Sequence, residues 1–295
     1  MLATVSRASK LKAYVALTKP RIIELLLVTT VPTMVVAARG VPPVGLMVAT
    51  VIGGALAAGG ANAINMFVDR DIDALMHRTR NRPLVTGAVS PASALVFAIA
   101  LEALAFGELW FLVNPLSALL AVSATLFYVF VYTLWLKRTS TQNIVIGGAA
   151  GAVPVLVGWA AVTGSLSLAP LVLFGIIFVW TPPHFWALAV KYRDDYTAAG
   201  VPMLPSVTSL TRTARQIVAY TVVLWALSIL FAPVAGMGAI YVVAAVGLGA
   251  VFLAMAVQLW RQGTDERAMR LFGYSITYVV LLFSAMAIDQ ILLGS

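Results

Sequence analysis

Cysteine is absent from the 295 residues. Structural disulfides and thiolate metal centres are therefore excluded. Histidine occurs only at His77 and His184, too few for a multi-histidine metal site. Charge is scarce as well: 10% of residues are Asp, Glu, Lys or Arg, against roughly 25% in a soluble domain. Strands alternating in the manner of an outer-membrane barrel are missing. So is any basic-aromatic pattern that would suit nucleic acid. The stretch before Thr18 is basic but lacks an apolar core followed by a small-residue cleavage site, so it does not read as a signal peptide. Nor is it the Arg/Ser-rich presequence of an organelle protein.

What is present is apolar, 61% of the chain. Runs of about 18 or more apolar residues recur, each long enough to cross a bilayer core of about 30 Å. The chain reads as an all-α, polytopic membrane protein with nine transmembrane helices in a bundle. The expected spans lie near 22–39, 44–67, 92–113, 117–136, 142–162, 168–190, 214–233, 238–259 and 271–292. A single transmembrane domain over 1–295 is expected, with 1–17 as a basic cytoplasmic segment. Of the 19 Lys and Arg residues, all but Arg39 fall on one side of this topology. The positive-inside rule puts that side, and the N-terminus, in the cytoplasm and the C-terminus outside. The connections on the other side are short and turn-rich. Only two cytoplasmic connections, about 68–91 and 191–213, carry enough polar groups for chemistry. They follow the second and sixth spans, which suggests two polar mouths facing each other.

The first mouth reads Asn65-Met66-Phe67-Val68-Asp69-Arg70-Asp71-Ile72-Asp73, then Arg78, Arg80 and Arg82. It holds three of only eleven acids. On a helix, Asn65, Asp69 and Asp73 stack along one face, about 6 Å apart. Two carboxylates and an amide oxygen make a hard oxygen surface suited to Mg²⁺ shared with a phosphate group. Asn65 is either a third ligand or a support behind the pair. Asp71 falls on the opposite side, toward solvent or an arginine. Arg78 and Arg82 are candidate diphosphate donors, since guanidinium groups fork onto phosphate oxygens.

The second mouth reads Lys191-Tyr192-Arg193-Asp194-Asp195-Tyr196. Lys191 and Arg193 are candidates for phosphate oxygens, and Asp194 or Asp195 for a second Mg²⁺. Adjacent acids do not share a helix face, so one of the two is the expected ligand. His184 lies within the sixth span beside Pro182 and Pro183, where a kink is expected. An ionisable group inside a span is a functional candidate; the plainer account is a neutral imidazole bonded to a neighbouring helix. Glu24, three residues after Arg21, reads as its ion-pair partner. Glu102 falls near mid-membrane with no partner legible. Tyr128, Tyr132 and Trp135 are expected to share a face, as an interfacial belt or as the wall of a prenyl tunnel. Gly53, Gly54, Gly59, Gly60, Gly147, Gly148 and Gly151 read as close-packing positions.

Asn65-xxx-Asp69-xxx-Asp73, followed by Met76-x-Arg78-Thr79-xx-Arg82-Pro83-Leu84, resembles the first aspartate motif of the UbiA superfamily of intramembrane prenyltransferases. Four further stretches resemble the branch of that superfamily that farnesylates protohaem. They are Leu17-Thr18-Lys19-Pro20-Arg21, Asn143-Ile144-Val145-Ile146-Gly147-Gly148, Thr181-Pro182-Pro183-His184-Phe185-Trp186, and Asp195-Tyr196-xxx-Gly200-Val201-Pro202-Met203-Leu204-Pro205. The likeness runs from about residue 14 to 290. In one respect the chain departs from quinone-pathway members: Tyr192 and Tyr196 stand where their second Asp-xxx-Asp motif would be. The resemblance implies a UbiA-like fold, Mg²⁺ as cofactor, and farnesyl diphosphate and haem B (protohaem IX) as substrates. It implies supply of product to haem-copper terminal oxidases, with haem A synthase or an oxidase assembly as a partner, while the short N-terminal stretch without an organelle presequence favours a bacterial plasma membrane. It also makes His184 the candidate haem contact, as an iron ligand. Two other functions remain on the sequence: prenyl transfer to a quinone precursor or chlorophyllide, and a transporter or metal carrier. The carrier is disfavoured because the acids gather at one mouth and form no relay across the membrane.

Overall fold

A computed structural model describes residues 7–293. It contains helices and turns, with no strand among the described residues. The helices are α1 (Arg7–Leu17), α2 (Pro20–Ala38), α3 (Val44–Val68), α4 (Arg70–Leu75), α5 (Pro91–Leu112), α6 (Pro115–Thr139), α7 (Asn143–Thr163), α8 (Leu168–Lys191), α9 (Arg193–Ala198), α10 (Leu204–Val207), α11 (Leu210–Ala235), α12 (Ala239–Gln262) and α13 (Asp265–Leu293). Eight of these are long and apolar enough to cross a membrane among the described residues. α2 adds the apolar stretch Val28–Ala38. This is a multi-pass membrane protein, and every expected span falls on one of the long helices. The last spans begin earlier than hydropathy suggests, at Leu210 and Asp265, because charged first turns extend these helices beyond their apolar parts.

Each long helix packs against the next, and α13 returns to pack on α2, closing the ring. Contacts of α2 with α7 and of α8 with α13 cross the bundle. The largest buried side chains gather in the second half: Trp186, Phe231, Tyr241, Phe252, Tyr278 and Phe283. Exposed apolar side chains such as Phe111 and Val243 sit on the outer surface, as a lipid-facing bundle requires.

Small residues set the closest approaches. A Cβ on Gly60 would meet a Glu102 carboxylate oxygen at 2.6 Å, and one on Gly148 would meet Thr181 at 2.9 Å. Gly53, Gly59 and Gly147 are similarly confined, whereas Gly54 and Gly151 face open space, so the packing role holds for only part of the expected set. Glu102, without a legible partner in sequence, accepts a hydrogen bond from Thr125 of α6 at 3.3 Å. The side chains of Arg21 and Glu24, expected to pair, lie outside the described residues, as do residues 1–6. α8 runs on as helix through Pro182 and Pro183.

Residues 127–136 of α6 are wound as a π-helix. The wider turn changes which residues share a face. Tyr128 and Tyr132 stack with ring centroids 5.3 Å apart, and Tyr132 packs over Gly147. Trp135 turns outward, 61% exposed. The expected three-residue aromatic face is therefore a pair, because α-helical spacing does not apply here.

Candidate active site

The first polar mouth forms where α3 ends. Asp69 closes α3, and α4 follows at once. The i to i+4 bonds continue through the junction, from Asp69 N–H to Asn65 C=O at 2.9 Å and from Asp73 N–H to Asp69 C=O at 2.8 Å. The three residues thus stay stacked although the helix is interrupted. All face inward: Asn65, Asp69 and Asp73 are 3%, 0% and 2% exposed. Asp71 lies on the far side, exposed, and is gripped by both terminal nitrogens of Arg138 at 2.7 and 2.8 Å. That guanidinium holds the Asp71 carboxyl down at about 2, against an ordinary 3.8.

Buried carboxylates need cations. Arg82 reaches Asp73 at 2.6 Å. Lys137, at the C-terminal end of the π-helical stretch, bonds Asp69. Arg138 lies 3.7 Å from the other Asp69 oxygen. Lys19 bonds the Asn65 side-chain oxygen at 2.8 Å. The neighbourhood thus gathers four basic side chains around three carboxylates, a set of donors in which to seat an anion.

Asn65 is oriented without ambiguity. Its nitrogen donates to Asp69 at 2.7 Å and to the Thr133 hydroxyl at 3.1 Å, and its oxygen accepts from Lys19. Turned over, the amide would set its nitrogen against an ammonium and its oxygen against a carboxylate. In this arrangement the Asn65 amide stands against Asp69 with its nitrogen on that carboxylate.

None of Lys19, Lys137 and Arg138 is a site candidate from sequence: Lys137 and Arg138 count there only as topology, and Lys19 only as part of the Leu17-to-Arg21 stretch. Lys19 occupies the link between α1 and α2 in a left-handed conformation, φ 52° and ψ 63°. Such a backbone is uncommon for a side-chain-bearing residue and costs of order 1–3 kcal/mol. The adjoining Thr18 carbonyl is held by Asn62 at 3.1 Å. Burial, together with the nearby Arg82 and Lys137 charges, pushes the Lys19 ammonium well below the ordinary lysine value. The signal available in sequence was the Thr18-Lys19-Pro20 turn.

The second mouth folds against the first. The Arg78 backbone N–H donates to the Asp195 carboxylate at 3.1 Å. The Arg78 guanidinium lies 3.4 Å from the Tyr196 hydroxyl and over the Tyr192 ring. Beneath them Ile72, Ile144, Ala189, Val201 and Met203 form one apolar cluster. The structure therefore brings Asp195 to the first mouth, with Lys191 exposed beside Tyr192. It does not bring Arg193 and Asp194 there. Arg193 pairs with Asp265 of α13 at 3.0 Å, and the Asp194 side chain is 99% exposed. Successive residues of α9 point to different sides, so only one of the adjacent acids turns inward.

No three His, Cys, Asp or Glu side chains converge on a metal position among the described residues. The protein's own carboxylate offer is thus the pair Asp69 and Asp73, which suits Mg²⁺ completed by substrate phosphate oxygens. The buried Asp69 oxygen that Arg138 approaches at 3.7 Å has no hydrogen-bond partner, so its lone pairs fit the donor set of a cation.

His184 lies apart, buried on α8. Its ring stacks on Trp180 at 4.3 Å, leans on Phe272 at 4.7 Å and bonds Ser275 of α13 at 2.7 Å.

A family model described as the UbiA prenyltransferase family matches residues 26–284. A protein named protoheme IX farnesyltransferase from Frankia casuarinae is 54% identical over 287 residues, covering 96% of this chain and 99% of the relative. One of the same name from Streptomyces coelicolor is 53% identical over 290 residues, covering 96% and 92%. Among solved structures, a digeranylgeranylglyceryl phosphate synthase superposes with a TM-score of 0.79 at 18% identity, covering 96% of this chain and 99% of that one. A UbiA homologue from Archaeoglobus fulgidus bound to GPP and Mg²⁺ superposes with a TM-score of 0.65 at 17% identity, covering 93% and 99%.

Proposed function

Because this chain belongs to the UbiA prenyltransferase family, we propose that it moves a farnesyl group from farnesyl diphosphate to a vinyl group of haem B, giving haem O. The observation that carries the chemistry is the inward-facing pair Asp69 and Asp73, ringed by cations at one end of an apolar bundle. The acceptor rests on near-full-length identity to relatives named for that reaction.

Asp69 and Asp73 would hold Mg²⁺, which when bound neutralises the diphosphate and stabilises charge growing on it as it leaves. The side chains supply the rest. Lys137, Arg138, Arg82 and Lys19 already crowd the carboxylates and give donors to phosphate oxygens. Arg78 adds a further guanidinium from the seam between the mouths, with Lys191 beside it. Asn65 keeps Asp69 turned inward. The farnesyl carbon–oxygen bond ionises to an allylic cation. The haem vinyl, a weak π nucleophile, attacks it. Water then adds to the resulting cation and loses a proton. The apolar surroundings keep water from the allylic cation until that point. Tyr128 and Tyr132 present ring faces that suit a prenyl cation. His184 is the candidate iron ligand of the haem. Asp195 is the second-mouth candidate for a further Mg²⁺.

The one-sided distribution of Lys and Arg supports a bacterial plasma-membrane protein with these mouths and the N-terminus in the cytoplasm and the C-terminus outside. The product would pass to the assembly of a haem-copper oxidase. Tyr192 and Tyr196 in place of a second aspartate motif argue against a quinone-precursor acceptor. The deciding experiment incubates purified protein with haem B, farnesyl diphosphate and Mg²⁺ and extracts the haems for mass spectrometry. A farnesylated, hydrated haem is expected. Recovery of haem B alone, with prenylation of a quinone precursor or chlorophyllide in a parallel incubation, would replace the haem acceptor.

A further inference from the structure

The Ser275 hydroxyl stands between two groups. It lies 2.6 Å from the Phe272 carbonyl oxygen, one turn back on α13. It also lies 2.7 Å from His184 Nδ1 on α8. A hydroxyl has one proton. A carbonyl oxygen can only accept, and at 2.6 Å the shorter of the two contacts is read as taking that proton. Ser275 Oγ must then accept from His184, and Nδ1 must carry a hydrogen. The neutral imidazole is thereby held as one tautomer, with Nε2 left as a lone pair. Nothing hydrogen-bonds Nε2 among the described residues.

The same serine orients the neighbouring ring. Its backbone carbonyl accepts the Trp180 indole N–H at 2.8 Å. Trp180 stacks on one face of His184, and Phe272 lies against the ring at a 30° tilt. Ring plane and tautomer are thus both set from residues 272–275. Metal-binding histidines use this arrangement: the nitrogen remote from the metal donates to an oxygen, which fixes the ring and strengthens the other nitrogen as a ligand.

We propose that Ser275 is a positioning residue that holds His184 in the Nδ1–H tautomer and so presents Nε2 to the iron of the haem substrate. This rests on the haem reading of His184 given above. The chain has only two histidines, and the other, His77, is exposed. A His77→Gln protein carrying ¹⁵N-histidine therefore reports one imidazole. In substrate-free full-length protein in detergent, its nitrogen spectrum is expected to show Nδ1 protonated and Nε2 bare. An Nε2-protonated ring overturns the proposal without reference to haem.

Haem titration supplies the second readout. Ser275→Ala is expected to weaken ferric haem binding about 10- to 100-fold and to shift the Soret band. Ser275→Thr, which keeps the hydroxyl, is expected to restore both and covers the case in which the alanine variant does not fold. Unchanged affinity and spectrum in Ser275→Ala, with both altered in His184→Ala, overturns the role of Ser275 alone. Unchanged affinity and spectrum in His184→Ala overturns the iron-ligand reading on which it rests.

Discussion

The Arg78 backbone N–H and the Asp195 carboxylate, 117 positions apart in sequence, meet at 3.1 Å and tie the two polar mouths together. A backbone donor fixes Asp195 whatever side chain occupies position 78. The guanidinium is then left to the Tyr196 hydroxyl and the Tyr192 ring. Arg78→Ala is expected to leave the seam in place but remove a phosphate donor. Steady-state kinetics should show KM for farnesyl diphosphate rising roughly tenfold, the effect of about 1.4 kcal/mol, with a smaller change in kcat. A fall in kcat at constant KM would assign Arg78 to the transition state instead.

Asp69→Asn and Asp73→Asn are each expected to lower turnover by 100-fold or more, as loss of a main electrostatic stabiliser does. Diphosphate release from farnesyl diphosphate, measured with circular dichroism as a folding control, reports this. Full activity in both variants would remove the cradle from the mechanism.

Lys137 is the main cation on a fully buried carboxylate. Lys137→Ala leaves Asp69 with the Asn65 amide and, as its cation, the more distant Arg138, and removing one partner of a buried pair costs about 3–5 kcal/mol. A marked drop in thermal midpoint is expected. Asp69→Asn combined with Lys137→Met should recover most of the midpoint but none of the activity. That split separates the structural from the catalytic part of the pair.

The Asp71–Arg138 pair makes a pH prediction. The folded-state carboxyl is held at about 2, below its ordinary 3.8. Its stabilisation is therefore fully present above pH 3.8 and is lost as pH falls toward 2. Because Asp71 is exposed, the effect is at most about 1 kcal/mol. Asp71→Asn should lower the midpoint slightly at neutral pH and flatten its decline over that acidic window.

Two glycines of α7 should respond oppositely to alanine. A Cβ at Gly158 would meet the Thr30 backbone oxygen of α2 at 2.8 Å, whereas at Gly151 there is nothing within 4 Å. Gly158→Ala should cost about 1–3 kcal/mol through overpacking. Gly151→Ala should be neutral or stabilising by up to about 1 kcal/mol, from helix propensity. Thermal midpoints of the two variants in one detergent decide the matter.

Much of the architecture is written locally. Twenty-residue apolar runs, their turn-rich separators and the one-sided placement of Lys and Arg define helices and alternation, because a backbone in lipid must bond within its own segment. The stacking of Asn65, Asp69 and Asp73 was legible for the same reason: i, i+4 spacing is a property of a single helix, and it survives the break at Asp69. So was the separation of Asp71 from that face. Where local winding departs from the α-helix, the sequence misleads, as with Trp135 beyond the π-helical turn of α6.

Contacts between distant segments are another matter. Lys19, Lys137 and Arg138 look like topology signals until the fold sets them against Asn65, Asp69 and Asp71. Asp195 is selected over Asp194 only because one faces the Arg78 loop. Ser275 is an unremarked hydroxyl in an apolar helix until α13 closes on α8 and places it beside His184. Periodicity along single segments is enough to define the membrane-spanning helices and the inward acidic face. The tertiary structure alone decided which cations balance those acids and which serine orients the histidine, since a charge or hydroxyl acquires its partner only where separate helices meet.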